Sequence, residues 1–166
     1  YEYSREFSVG RDVLAHDQVI LCCEGLDTVA SITINGNTLA DTDNMHRTYR
    51  FDVKAMLAEG KNTINILFRS PVAFAKEMAE KHNRMGLMGG RGIEFIRKAQ
   101  CMFGWDWGPR LPDMGIWRDI SLVGIEAARI GNVYVTQAHE DGRVTLHTSA
   151  MLEYTTAEAG VNVSVE

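Results

Sequence analysis

The stretch VASITINGNTLA, Val29 to Ala40, decides the fold. Ile32, Ile34 and Leu39 flank an Asn35-Gly36 pair. Asn-Gly accepts a positive φ at both central positions, and the type I′ turn that needs this has the twist that joins two antiparallel strands. The stretch is predicted to be a β-hairpin. On its N-terminal side, YEYSREFSV (Tyr1 to Val9) alternates, with Tyr1, Tyr3, Arg5, Phe7 and Val9 on one face. QVILCCEGL (Gln18 to Leu26) is a continuous apolar run, fit for a strand buried on both sides. On the other side come RTYRFDV, a helical turn in KAMLAEGKN stopped by Gly60, and NTINILFRS with Ile64, Ile66 and Phe68 in step. Strands at short spacing joined by turns predict an antiparallel β-sandwich or jelly roll.

The pattern breaks at Ser70. Ser70-Pro71 reads as N-cap and first helical residue, and the pairs Phe74–Met78 and Ala75–Ala79 fall at helical spacing. That helix gives out in NRMGLMGGRG, with four glycines in ten residues. Strand signal stays weak until Pro112; an excursion of this length in a compact domain is either functional or disordered, and the W-D-W loop and charged residues it contains favour function. GIWRDISLVGI, Gly115 to Ile125, restores a strand. Past Glu126 the style changes: NVYVTQAHEDGRVTLHTSAML predicts a hairpin around Asp141-Gly142, and AGVNVSVE predicts a further strand. Residues 1–126 are therefore expected to form one domain, and 127–166 the truncated beginning of a second.

Composition narrows the function classes. In 166 residues, 45% are hydrophobic and 23% charged, ordinary for a globular core. A net charge of −5 argues against nucleic acid or an anionic membrane as the main partner. Nothing approaches the ~20 apolar residues that span a bilayer. Of three cysteines, Cys22 and Cys23 are adjacent and would point to opposite faces, so buried free thiols are expected and a disulfide scaffold is not. No C-x-x-C, H-x-H or H-E-x-x-H spacing occurs, and neither a metal site nor a cofactor is expected. YEYSREFSV lacks the basic-then-apolar layout of a leader; with the unpaired cysteines this favours a cytoplasmic setting, for a chain whose true N-terminus is expected upstream.

The residues that carry chemistry lie in FGWDWGP, Phe103 to Pro109. Two of the three tryptophans bracket one aspartate, and Gly104, Gly108 and Pro109 favour a short bent loop over a continuing strand. Flat apolar rings beside a carboxylate suit a sugar: rings cover the C–H face and the carboxylate accepts from hydroxyls. The same residues would also suit indoles plugging the end of a core, since tryptophan is usually well buried.

CEGLDTVASITINGNTL, NMHRTYRFDVKAML and GKNTINILFRSPV together resemble the N-terminal domain of glycoside hydrolase family 2, and RKAQCMFGWDWGPRLPDMGIWRDISL is similar to the β-mannosidases of that family. The resemblance runs from Tyr1 to about Glu126. It implies an all-β, galactose-binding-domain-like jelly-roll sandwich with a short helix and a long loop insertion, followed by the start of an immunoglobulin-like sandwich. It implies that Trp105, Asp106 and Trp107 reach the rim of a pocket for the terminal mannose, with Asp106 the hydroxyl acceptor. Arg97, Lys98 and Gln100 are candidates either to touch the sugar or to support the loop. The family's two catalytic glutamates sit about 5 Å apart in a (β/α)8 barrel, as retaining hydrolysis requires, and no segment here matches that barrel. The resemblance thus implies a piece of a longer enzyme, inactive alone, whose partners are a β-mannoside and the barrel. Glu24, Glu94 and Asp113 read as structural or solvated, His46 as a turn cap, Trp117 as core, and Asn162-Val163-Ser164 as an unused glycosylation pattern. Two other classes stay open: a stand-alone carbohydrate-binding module, and a structural or interaction sandwich without a ligand.

Overall fold

Asn35 and Gly36 take φ of 50° and 79°, the doubly positive backbone of the tight turn, and the strands beside them pair as expected. The computed structural model describes residues 1–82, 92–106, 108–155 and 160–164. In chain order the sandwich comprises β1 (Glu2–Val9), α1 (Arg11–Ala15), β2 (Gln18–Cys23), β3 (Leu26–Asp27), β4 (Ala30–Ile34) and β5 (Asn37–Thr42). β6 (Tyr49–Asp52), β7 (Gly60–Phe68), α2 (Pro71–His82), β8 (Gly115–Ile116) and β9 (Ile120–Ile125) complete it. One sheet has the order β1-β7-β4-β5, the other β6-β2-β9, and β3 pairs with β8; these pairings are antiparallel.

Alternation sends Ile32, Ile34, Ile66 and Phe68 of the first sheet into the core, against Val19, Leu21 and Cys23 of β2. β2 lies between β6 and β9 as the central strand of its sheet, and Val19, Leu21, Cys22 and Cys23 are its buried residues. Burial pushes the Cys23 thiol up to about 12, with Cys22 beside it adding to the effect, so Cys23 offers no ready thiolate. Asn62, fully buried, closes the corner before β7. Its Oδ1 accepts from the Ala58 amide (2.9 Å) and Asn35 Nδ2 (2.8 Å), and its Nδ2 donates to the Ala58 and Gly60 carbonyls.

Three local expectations are corrected. The helical turn spans only Lys54–Met56, and Gly60, at φ 87°, opens β7 instead of ending the turn. GIWRDISLVGI is two strands in different sheets, because the chain leaves β8 at Trp117 and rejoins a sheet only at Ile120. Trp117 is not core: it is half-exposed, its indole N–H donates to the Met45 carbonyl at 3.1 Å, and Arg118 lies 4.2 Å over its ring.

The last elements are β10 (Ala128–Glu140) and β11 (Arg143–Tyr154), a long hairpin turning at Asp141 and Gly142 with φ of 47° and 73°. The two strands pair with each other in a two-stranded sheet. Asp17 ties this hairpin to the sandwich: one carboxylate oxygen accepts from the Ala127 amide and the Thr155 hydroxyl, both at 2.9 Å. Those bonds hold the Asp17 carboxyl below its ordinary range. Residues 160–164 form no strand, against the expectation for AGVNVSVE; the other residues of that stretch lie outside those described.

Candidate functional site

The site is built on the excursion between β7 and β8. Its first part is α2, started as the sequence predicts: the Ser70 hydroxyl accepts from the Ala73 amide (3.3 Å) and the Ser70 carbonyl from the Phe74 amide (3.0 Å). Pro71 and Ala75 are its buried face. Residues 83–91, which hold most of the glycine- and methionine-rich run, lie outside the described residues. At Gly92 the chain lies against α2, with φ at 71° and an added Cβ only 1.8 Å from the Ala75 carbonyl oxygen. Gly92→Ala is expected to cost about 2–5 kcal/mol, combining left-handed backbone strain with overpacking. Chemical denaturation followed by circular dichroism checks this.

Ile93, Ile96 and Phe103 then form a small second core against Val29 and Phe74. Two short 3-10 turns, Ile93–Phe95 and Gln100–Phe103, carry the chain across it. The Arg97 carbonyl accepts from the Met45 amide at 3.0 Å, which fixes this segment to the sandwich. At the tip, Trp105 and Gly108 exchange amide-to-carbonyl hydrogen bonds, both 3.3 Å, with Asp106 at the corner. Gly104 has φ 78°, and a Cβ there would approach the Arg110 amide to 2.9 Å, so the glycine is needed for the bend.

The tip borders a depression of about 430 Å³ lined by Ile93, Phe103, Gly104, Trp105, Asp106, Gly108 and Arg110. Trp105 is 55% exposed, so this indole does not plug a core. Asp106 is exposed beside it, and Arg110 places its guanidinium 5.6 Å over the Phe103 ring. An apolar ring, a carboxylate acceptor and a guanidinium donor around one hollow can hold a polyhydroxyl compound through its C–H face and its hydroxyls. Trp107 lies outside the described residues.

The other sequence candidates separate. The Lys98 ammonium is wholly buried, paired with Asp27 and 3.4 Å from Asp113, and Lys98 does not line the hollow. Gln100 turns its amide back onto the Ile93, Ile96 and Lys98 carbonyls, the shortest bond being 3.0 Å. Arg97 is exposed. Glu24 and Glu94 are solvated, and Asp113 serves Lys98. His46 does not cap its turn; its amide donates to Asn44 Oδ1 at 2.9 Å, so Asn44 is the cap. Sequence reasoning missed Phe103 and Arg110 as lining residues, although both flank the W-D-W block; their stacking was the unseen signal. A second cleft of about 680 Å³ opens between the edge strands β1 and β9, with Tyr3, Phe7, Leu21 and Leu122 among its walls. Among the described residues, no group of three or more metal-ligating side chains occurs, and no helix is long and apolar enough to cross a membrane.

Comparison with known proteins gives consistent matches. The family described as glycosyl hydrolase 2 galactose-binding domain-like matches residues 1–118. The β-mannosidase of Capra hircus is 33% identical over 150 residues, covering 85% of this chain and 17% of that protein. β-Mannosidase B of Aspergillus terreus is 35% identical over 156 residues, covering 92% and 18%. Among solved structures, the β-D-mannosidase of Dictyoglomus thermophilum aligns with a TM-score of 0.86 at 35% identity, over 92% of this chain and 19% of that one. The exo-chitosanase of Amycolatopsis orientalis, with a TM-score of 0.64 at 19% identity over 94% and 16%, shares the fold. The chain spans less than a fifth of the length of these relatives.

Proposed function

The chain belongs to glycoside hydrolase family 2, matching its galactose-binding domain-like unit, and from that premise we propose that it is the non-catalytic N-terminal part of a β-mannosidase-like retaining exo-glycosidase. In this reading residues 1–126 are the jelly roll, and 127–166 open an immunoglobulin-like domain. Exposed Ile130, Tyr134, Leu146 and Met151 on the long hairpin support the second assignment, since apolar residues on an isolated two-stranded sheet call for a covering partner.

The observation that carries the function is the exposed Trp105–Asp106 tip at the mouth of a hollow. The rim supplies a ring for the C–H face of the terminal mannose and the Asp106 carboxylate for its hydroxyls, with Trp107 as a second wall. Arg97 is the exposed candidate for a further sugar contact, while Lys98 and Gln100 support the rim from behind. Retaining hydrolysis needs an acid/base carboxyl and a nucleophile about 5 Å apart, and that pair belongs to a barrel beyond this chain.

One wall encloses little of a monosaccharide, and usable affinity needs a pocket that surrounds most of the ligand. The chain alone is therefore expected to release no nitrophenol from the β-mannoside and to bind mannose only at millimolar concentrations or above. Calorimetric titration checks this; saturable binding below a millimolar would establish the stand-alone carbohydrate-binding module instead.

A further inference from the structure

We propose that Lys98 is a positioning residue for the Trp105–Asp106 tip, acting as the base rung of a hairpin-like stack of closures. The proposal rests on the reading of that tip as a substrate rim.

Three contacts across the excursion nest one inside another. Lys98 Nζ reaches Asp113 Oδ1 at 3.4 Å, the Leu111 amide donates to the Met102 carbonyl at 3.0 Å, and Trp105 bonds Gly108 in both directions. Among the described residues no named strand lies between α2 and β8, so no sheet holds the tip and these closures do. The outermost one spans fifteen positions and encloses six of the seven residues that line the hollow; Ile93 alone lies outside it. Closing a segment at its base removes conformations that would carry the tip away.

The base rung differs in kind from the other two. The Lys98 ammonium is 0% exposed, and its other partner is Asp27 of β3, itself buried and receiving the Thr28 hydroxyl. A buried ammonium needs a carboxylate to balance it, and Asp27 meets that need. Asp113 is 78% exposed, so water could satisfy it without Lys98. The second ion pair is therefore not required by burial. What it adds is geometry: it ties the return leg of the excursion to a charge fixed in the sandwich. Gln100 strengthens the tie by donating to the Lys98 carbonyl at 3.3 Å, which orients the backbone from which the side chain turns inward.

Amide exchange measured by NMR on this chain tests the proposal through Asp113, whose substitution spares the buried Lys98–Asp27 pair. In Asp113→Ala the amides of Trp105, Gly108 and Leu111 are expected to exchange about three- to tenfold faster, while those of β2, β4 and β7 keep their rates. Asp113→Glu, which keeps the carboxylate, is expected to restore slow exchange at the tip. Unchanged tip rates in Asp113→Ala, or rates raised equally in the sandwich strands, would overturn the proposal, as would a Glu variant that exchanges like the Ala one. No sugar enters this experiment, so its failure is separable from a failure of the substrate-rim reading, which is decided by kinetics at Asp106.

Discussion

Lys98→Met is expected to lower the stability of the chain by about 3–5 kcal/mol, the usual penalty for removing one partner of a buried ion pair. The substitution nearly preserves side-chain length, so the loss is electrostatic more than volumetric. It strands the Asp27 carboxylate, 5% exposed, with the Thr28 hydroxyl as its remaining side-chain partner among the described residues. The double change Lys98→Met with Asp27→Leu removes both charges and should recover most of the loss, because two apolar side chains need no mutual compensation. Urea unfolding of the three proteins at neutral pH measures both effects. A single variant within about 1 kcal/mol of wild type would mean that the pair is solvated and carries no more than a surface ion pair does.

The second large effect is kinetic. If the chain forms the substrate rim of a glycosidase as proposed, Asp106→Ala in that enzyme is expected to remove charge-assisted hydrogen bonds to sugar hydroxyls of roughly 1.5–3 kcal/mol each. One such bond corresponds to a loss in kcat/KM of about tenfold to somewhat over a hundredfold. Asp106→Asn, which keeps an acceptor oxygen but no charge, should fall between alanine and wild type. Stability should hardly move, since Asp106 is exposed and receives no side-chain hydrogen bond among the described residues.

Features fixed by neighbouring residues were legible in the sequence. Asn35-Gly36 and Asp141-Gly142 each impose positive φ on both turn residues, so both hairpins could be placed from four letters. Ser70-Pro71 likewise marked the start of α2, because cap and first turn lie within a few residues. The glycines around Trp105 and Asp106 pointed to an exposed bend, and the tip is one. What stayed hidden depends on partners far along the chain. Lys98 looked like a possible sugar contact because nothing near it signals Asp27, 71 positions away. The half-exposed position of Trp117 just after β8 was likewise hidden, since its indole bonds a carbonyl 72 positions back. α1 is only five residues with no buried position, too short for any periodicity to register. Arg110 belongs to the hollow only because the chain folds back over Phe103.

The most direct test of the substrate-rim role compares two epimeric substrates on one purified pair of enzymes. kcat/KM for the nitrophenyl β-mannoside and for the β-glucoside would be measured on wild type and Asp106→Ala, together with the melting temperature of each. If Asp106 grips the C2 hydroxyl that distinguishes mannose from glucose, the mannoside loses about tenfold or more. The glucoside loses less, and the two melting temperatures agree. Unchanged kcat/KM for both sugars in a variant with a clearly lowered melting temperature would contradict the account and return Asp106 to a structural role.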